Sequence, residues 1–94
     1  MAKPISWYVY IIECNDNKLY VGIAKDLNKR VELHNKGLAC RFTKYRGPVR
    51  LIYKKEYSSK SEARKRELEI KGYSRDRKLG LKYRLIHEKY YSIC

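Results

Sequence analysis

The sequence predicts a small α/β sandwich of the α+β kind, with a mainly antiparallel three-stranded sheet flanked by helices. Three observations predict it: two short apolar runs parted by a polar trio, a third extended run introduced by Gly47-Pro48, and three segments with helical spacing that open on capping residues.

Trp7 to Cys14 and Lys18 to Ala24 are rich in β-branched, aromatic and other apolar residues, and Asn15-Asp16-Asn17 lies between them, as in a β-hairpin. A loop of those three residues pairs Cys14 with Lys18, so residues of one parity share a face; a two-residue turn would break this register. The odd face then carries Trp7, Val9, Ile11, Leu19, Val21 and Ile23 and is core. The even face carries Tyr8, Tyr10, Ile12, Tyr20, Gly22 and Ala24, a gathering of phenols around a residue with no side chain. Tyr10 falls opposite Gly22 and diagonal to Tyr20, a separation of roughly 7–8 Å.

Asp26 suits the N-cap of a first helix and Gly37 its C-terminal stop. Gly47-Pro48 precedes the third extended run, Val49 to Tyr57. Ser59 and Glu62 have capping-box spacing and open a second helix that ends near Gly72. Ser74 caps a third, expected over about 74–90, on which Leu79, Tyr83 and Ile86 recur at helical spacing. No low-complexity stretch, repeat or linker divides the chain, so one domain is expected over 1–94 with its core at 7–75.

A chain of 94 residues has room for one modest core. Its 23 Lys and Arg against 10 Asp and Glu leave a net charge of +13, which points to a polyanionic partner held through phosphates with strong salt dependence. An anionic membrane fits less well, because no segment joins a long apolar face to a basic one. The longest apolar run, Ile5 to Ile12, is too short to span a bilayer and lacks the features of a secretion signal, so a cytoplasmic protein is expected. Cys14, Cys40 and Cys94 show no C-x-x-C spacing; free thiols are expected, not a disulfide framework or a zinc knuckle.

Polar residues interrupt two inward stripes. On the first helix Leu27 and Val31 define the stripe, and Arg30 and His34, four apart, complete it. On the second, Glu67 falls between Ala63 and Ile70. A carboxylate there needs a cation, either a basic side chain such as Lys71 or a metal. Each has a structural explanation, as snorkelling, hydrogen-bonded or ion-paired residues. A shared site explains them together.

These residues resemble the GIY-YIG nuclease superfamily, especially its small stand-alone bacterial members of the UPF0213 type. Tyr8-Val9-Tyr10 stands where the family has its first signature tripeptide and Tyr20-Val21-Gly22 where it has the second. Lys25 to Arg30 with His34-Asn35 matches the family's first helix, and Arg46-Gly47-Pro48 and Ser61-Glu62-Ala63 through Glu67 to Ile70-Lys71 match the stand-alone subgroup. The likeness covers about residues 7 to 75. Tyr8 replaces the glycine of the first signature, and no counterpart is found in the last helix for an asparagine that many relatives carry.

The resemblance implies a metal-dependent endonuclease: Tyr10 and Tyr20 as catalytic tyrosines, Arg30 stabilising the phosphate, His34 assisting, and Glu67 ligating one Mg²⁺ or Mn²⁺. Arg30, the metal and other cations would favour a phenolate, with Tyr10 the preferred base; which tyrosine plays which part stays open. Gly22 would let the substrate backbone approach the sheet, and Arg41, Lys44 and Arg46 are candidates for nucleic-acid contacts. The expected partner is nucleic acid, DNA before RNA, with a protein partner as a second source of specificity. A binding module without catalysis, or an accessory subunit of a repair or recombination complex, would also use such a surface.

Overall fold

The computed structural model of the protein describes residues 6–82. Strand β1 (Trp7–Glu13) and strand β2 (Leu19–Ala24) form the expected hairpin. Cys14 donates its backbone N–H to the Lys18 carbonyl at 2.8 Å, and Asn17 takes a left-handed φ of 68°, which closes a three-residue loop. Tyr10 therefore faces Gly22, Val9 faces Ile23 and Ile11 faces Val21.

Strand β3 (Arg50–Tyr57) pairs antiparallel with the other edge of β1, giving the order β2-β1-β3. Its register slips after Ile11: Ile11 faces Tyr53 but Ile12 faces Leu51, and Ile52 is the extra residue of a β-bulge. The bulge sends Ile52 and Tyr53 to one side of the sheet, while Val49 and Leu51 pack on the other. Simple alternation along 49–57 would have separated Ile52 from Tyr53.

Helix α1 (Leu27–Asn35) begins at Asp26, whose side chain accepts from the Lys29 N–H at 3.1 Å. At its other end Gly37 donates to His34 and Leu38 to Leu33, a Schellman stop made possible by the φ of 74° at Gly37. Helix α2 (Lys60–Lys71) starts at Ser59, whose hydroxyl accepts from the Glu62 N–H at 3.2 Å, and stops at Gly72. A third helix, α3, covers residues 75–82, with the Ser74 hydroxyl accepting from the Arg77 N–H. The expected continuation through Tyr83 and Ile86, and Cys94, lie outside the described residues.

Both faces of the sheet are buried. On one, Val9, Ile11, Val21, Ile52 and Tyr53 pack with Ala63 and Ile70 of α2 and Leu81 of α3. On the other, Tyr10, Ile12, Cys14, Ala24 and Val49 pack with Leu27, against which Val31 is half-buried. Val9, Tyr10, Ile11 and Ile12 are all 0% exposed, so the central strand is enclosed on every side. Full burial of an aliphatic side chain such as Ile11 or Ile70 contributes about 1.5–3 kcal/mol. The phenol-rich face is thus also a core.

The segment between α1 and β3 is tied to the hairpin tip. Arg46 Nε lies 3.0 Å from Asp16, its Nη1 donates to the Phe42 carbonyl at 2.7 Å, and its own carbonyl accepts from the Asn15 N–H at 2.8 Å. Asn35 at the end of α1 accepts from the Val49 N–H at 2.6 Å. These ties hold Thr43, which is 0% exposed, under the end of α1. Among the described residues no helix is long and apolar enough to cross a membrane.

Candidate active site

Tyr10 leaves the middle of β1 on the α1 side, and the absence of a side chain at Gly22 gives it room. A Cβ on Gly22 would lie 2.6 Å from the Tyr10 hydroxyl oxygen, 2.7 Å from its Cζ and 3.0 Å from Tyr20 Cε1. The opening over Gly22 is therefore filled by Tyr10, not left for substrate backbone. Seated there, the Tyr10 hydroxyl lies 2.8 Å from His34 Nε2.

His34 is fixed from its other ring nitrogen, since Nδ1 lies 2.8 Å from Thr43 Oγ1. The Thr43 hydroxyl can donate in turn to the Cys40 carbonyl at 3.5 Å, leaving its lone pair for an Nδ1–H. That tautomer makes Nε2 an acceptor for the Tyr10 proton. Burial, with the charge of Arg30 adding to it, brings the His34 pKa down from 6.5 to about 4, so the ring is neutral and able to accept at pH 7.

Tyr20 closes the cluster, its ring centroid 6.3 Å from that of Tyr10 and 5.0 Å from that of His34. Its far side meets Phe42 at 5.8 Å. Burial raises both phenols above their usual range, Tyr20 to about 12, and outweighs the lowering by Arg30 in each case. Among the described residues, desolvation of the rings outweighs the Arg30 guanidinium, so Arg30 by itself does not bring either tyrosine towards phenolate. Arg30, one turn before His34 on α1, has its pKa raised by the Tyr10 hydroxyl, yet its buried Nε has no hydrogen-bond partner. A buried donor left open costs about 1–3 kcal/mol unless a ligand fills it.

Arg30 also forms a wall of a cleft of about 620 Å³ between α1 and α2 at the edge beside β2. Glu67 faces the same cleft, with its side chain 12% exposed and Lys71 3.4 Å away. Its charge is felt at Tyr10, whose pKa it helps to raise. Lys60, Arg64 and Lys71 line the cleft with Glu67 along one face of α2, joined by Lys25 just before α1 and Lys29 in its first turn. Trp7 closes one end, with Lys25 Nζ and Lys60 Nζ 5.1 and 5.3 Å from its ring centroid.

A family model described as the GIY-YIG catalytic domain matches residues 6–80. The chain belongs to the GIY-YIG family. UPF0213 proteins of two Staphylococcus aureus strains, Mu3 and N315, are each 55% identical over 76 residues, 81% of this chain and 93% of theirs. Among solved structures, the UPF0213 protein BH0048 of Bacillus halodurans is 37% identical, with a TM-score of 0.51 over 89% of this chain and 85% of that one. The E. faecalis protein EF2693 is 26% identical, with a TM-score of 0.57 over 100% of this chain and 94% of its own. The fold of this GIY-YIG chain is that of these neighbours, and a GIY-YIG domain implies nuclease chemistry on nucleic acid.

In this GIY-YIG domain, Tyr10, Tyr20, Arg30 and His34 meet in one cluster, and Glu67 shares the adjoining cleft with Arg30. The loop cations fare differently. Arg46 is engaged with Asp16 and Phe42, which makes it a strut for the loop, while Arg41 and Lys44 are exposed beside it. Thr43 escaped the sequence reading because an isolated threonine in an irregular segment carries no periodic signal. Phe42 was missed too, although aromatics interleaved with cations, as in Arg41-Phe42-Thr43-Lys44-Tyr45-Arg46, are a recognisable signal for nucleic-acid contact.

Proposed function

We propose that the chain is a divalent-metal-dependent endonuclease that hydrolyses phosphodiester bonds in DNA. The observation that carries this reading is the open, buried Nε of Arg30, next to a tyrosine whose proton is already directed to a neutral histidine. A phosphate oxygen in the cleft would satisfy Arg30, and the guanidinium would stabilise charge as it builds on phosphorus. Phenolate need not form beforehand. Tyr10 takes a proton from the attacking water as its own passes to His34 Nε2, and Thr43 holds the ring in the receiving tautomer. Tyr20, protonated with a pKa of about 12, donates to water or phosphate and does not act as base.

The donors in the cleft fit a hard cation. Its lining holds the carboxylates Asp26 and Glu67 and no His or Cys, and one carboxylate completed by waters and phosphate is an ordinary arrangement for Mg²⁺ or Mn²⁺. Such an ion would be held by Glu67 in place of the Lys71 ammonium, and when bound it offsets charge on the departing oxygen. A water–phosphorus bond forms, a phosphorus–oxygen ester bond breaks, and the leaving oxygen receives a proton from solvent. Replacement of Arg30 by Ala should lower cleavage about 10²–10³-fold. Glu67→Gln should abolish Mg²⁺-dependent cutting while affinity for DNA persists. Full Mg²⁺-dependent activity in Glu67→Gln would rule out the assigned metal site.

A further inference from the structure

A second cavity lies at the opposite end of β2 from the cleft, and none of the assigned residues lines it. Its volume is about 320 Å³, and its walls are Lys18 and Leu19 from the start of β2, Phe42 from the loop, and Arg75 and Lys78 from α3. That volume sits at the lower end for small-ligand sites, about 300 Å³. Two apolar walls and three cations, with no carboxylate among them, suit a flat apolar group carrying phosphates.

Among the described residues none of these three cations is ion-paired; the ion pairs there take Lys36, Arg46, Arg50, Arg66 and Lys71. Phe42 is 37% exposed although its ring is held firmly in place. Arg46, which does not line the cavity, covers it with its guanidinium carbon 4.7 Å from the ring centroid, and Tyr20 abuts it at 5.8 Å. An aromatic side chain fixed by its neighbours and still partly exposed offers a base an apolar contact at little ordering cost. Through Tyr20 the same ring is one contact from the catalytic cluster.

We propose that this cavity binds an unpaired nucleobase of the strand being cut, with its neighbouring phosphates on Lys18, Arg75 and Lys78. The inference rests on the nuclease reading for the direction of the strand and adds the substrate class: nucleic acid with a single-stranded segment beside the scissile phosphate. A paired base cannot turn its ring face outward, so continuous duplex cannot fill the cavity. From Leu19 at the cavity to Ala24 at the cleft, β2 spans about 17 Å. The captured base lies a few nucleotides from the bond that is cut.

The test is a cycle between Phe42→Leu, which keeps an apolar side chain, and oligonucleotides carrying one abasic position moved stepwise along the strand. Binding is followed by fluorescence anisotropy without metal, on deoxyribo- and ribo-oligonucleotides and on duplex of equal length. In the wild-type protein one position should be sensitive, losing about tenfold in affinity when abasic. In Phe42→Leu that position should no longer matter, and the preference for single strand over duplex should fall by about the same factor. Phe42→Trp should restore both. The sugar series that shows the coupling identifies DNA or RNA as the source of the base. Additive effects of Phe42→Leu and the abasic site at every position in both series overturn the subsite. Cleavage of the same oligonucleotides is assayed separately with Mg²⁺ and with Mn²⁺: coupling without any cleavage would retain the subsite and remove the nuclease reading, whereas cleavage without coupling would do the reverse.

Discussion

A single methyl group added at Gly22 would collide with the Tyr10 hydroxyl, and Tyr10, itself 0% exposed, has nowhere to retreat. Gly22→Ala should cost about 1–3 kcal/mol through overpacking, read from the urea midpoint, and should pull the hydroxyl off His34. An unshifted midpoint would mean that the seat is loose. His34 offers a pH signature. Its pKa is about 4 in the folded chain against 6.5 ordinarily, so between those values the unfolded state binds the extra proton. Stability from this residue is complete above pH 6.5 and drains away as pH falls towards 4, by about 3 kcal/mol in all. Urea titrations at pH 7 and 4.5 should show a steeper loss for the wild type than for His34→Gln. Equal losses would indicate that the buried imidazole charges at little cost.

At the level of elements, α1 and the hairpin were legible because their signals are local and redundant. The polar trio 15–17 fixed the turn, parity placed Tyr10 over Gly22, and the four-residue spacing of Arg30 and His34 put both on one side of α1. The bulge at Ile52 was not legible, since a one-residue slip leaves no mark in an apolar run. Nor was the tyrosines' upward pKa shift, which depends on how deeply the even face is covered by α1 and Thr43. On helix α2, Lys60, Arg64 and Lys71 share with Glu67 the face that lines the cleft, where a strand bound as proposed would meet them. Replacing any one of those three cations by Ala should reduce the slope of log affinity against log salt by about one. A slope that stays put on all three would move the bound strand out of the cleft.

Across the whole molecule, α1 and α2 lie on opposite faces of one thin sheet and still reach a common cleft, because β2 is an edge strand. Residues from β1, β2, α1 and α2 can therefore converge without any long excursion of the chain. Part of the basic excess lines the cleft along β2 and the cavity beside α3, and Arg41 and Lys44 are exposed in the loop near that cavity.

The enclosed position of Tyr10 has a practical corollary. Its ring is part of what keeps the polypeptide folded, so a variant designed to be inert by removing that ring would confound lost chemistry with lost integrity. Arg30 and Glu67 belong to neither apolar cluster, so substitutions there test the proposed chemistry with the least disturbance of the fold.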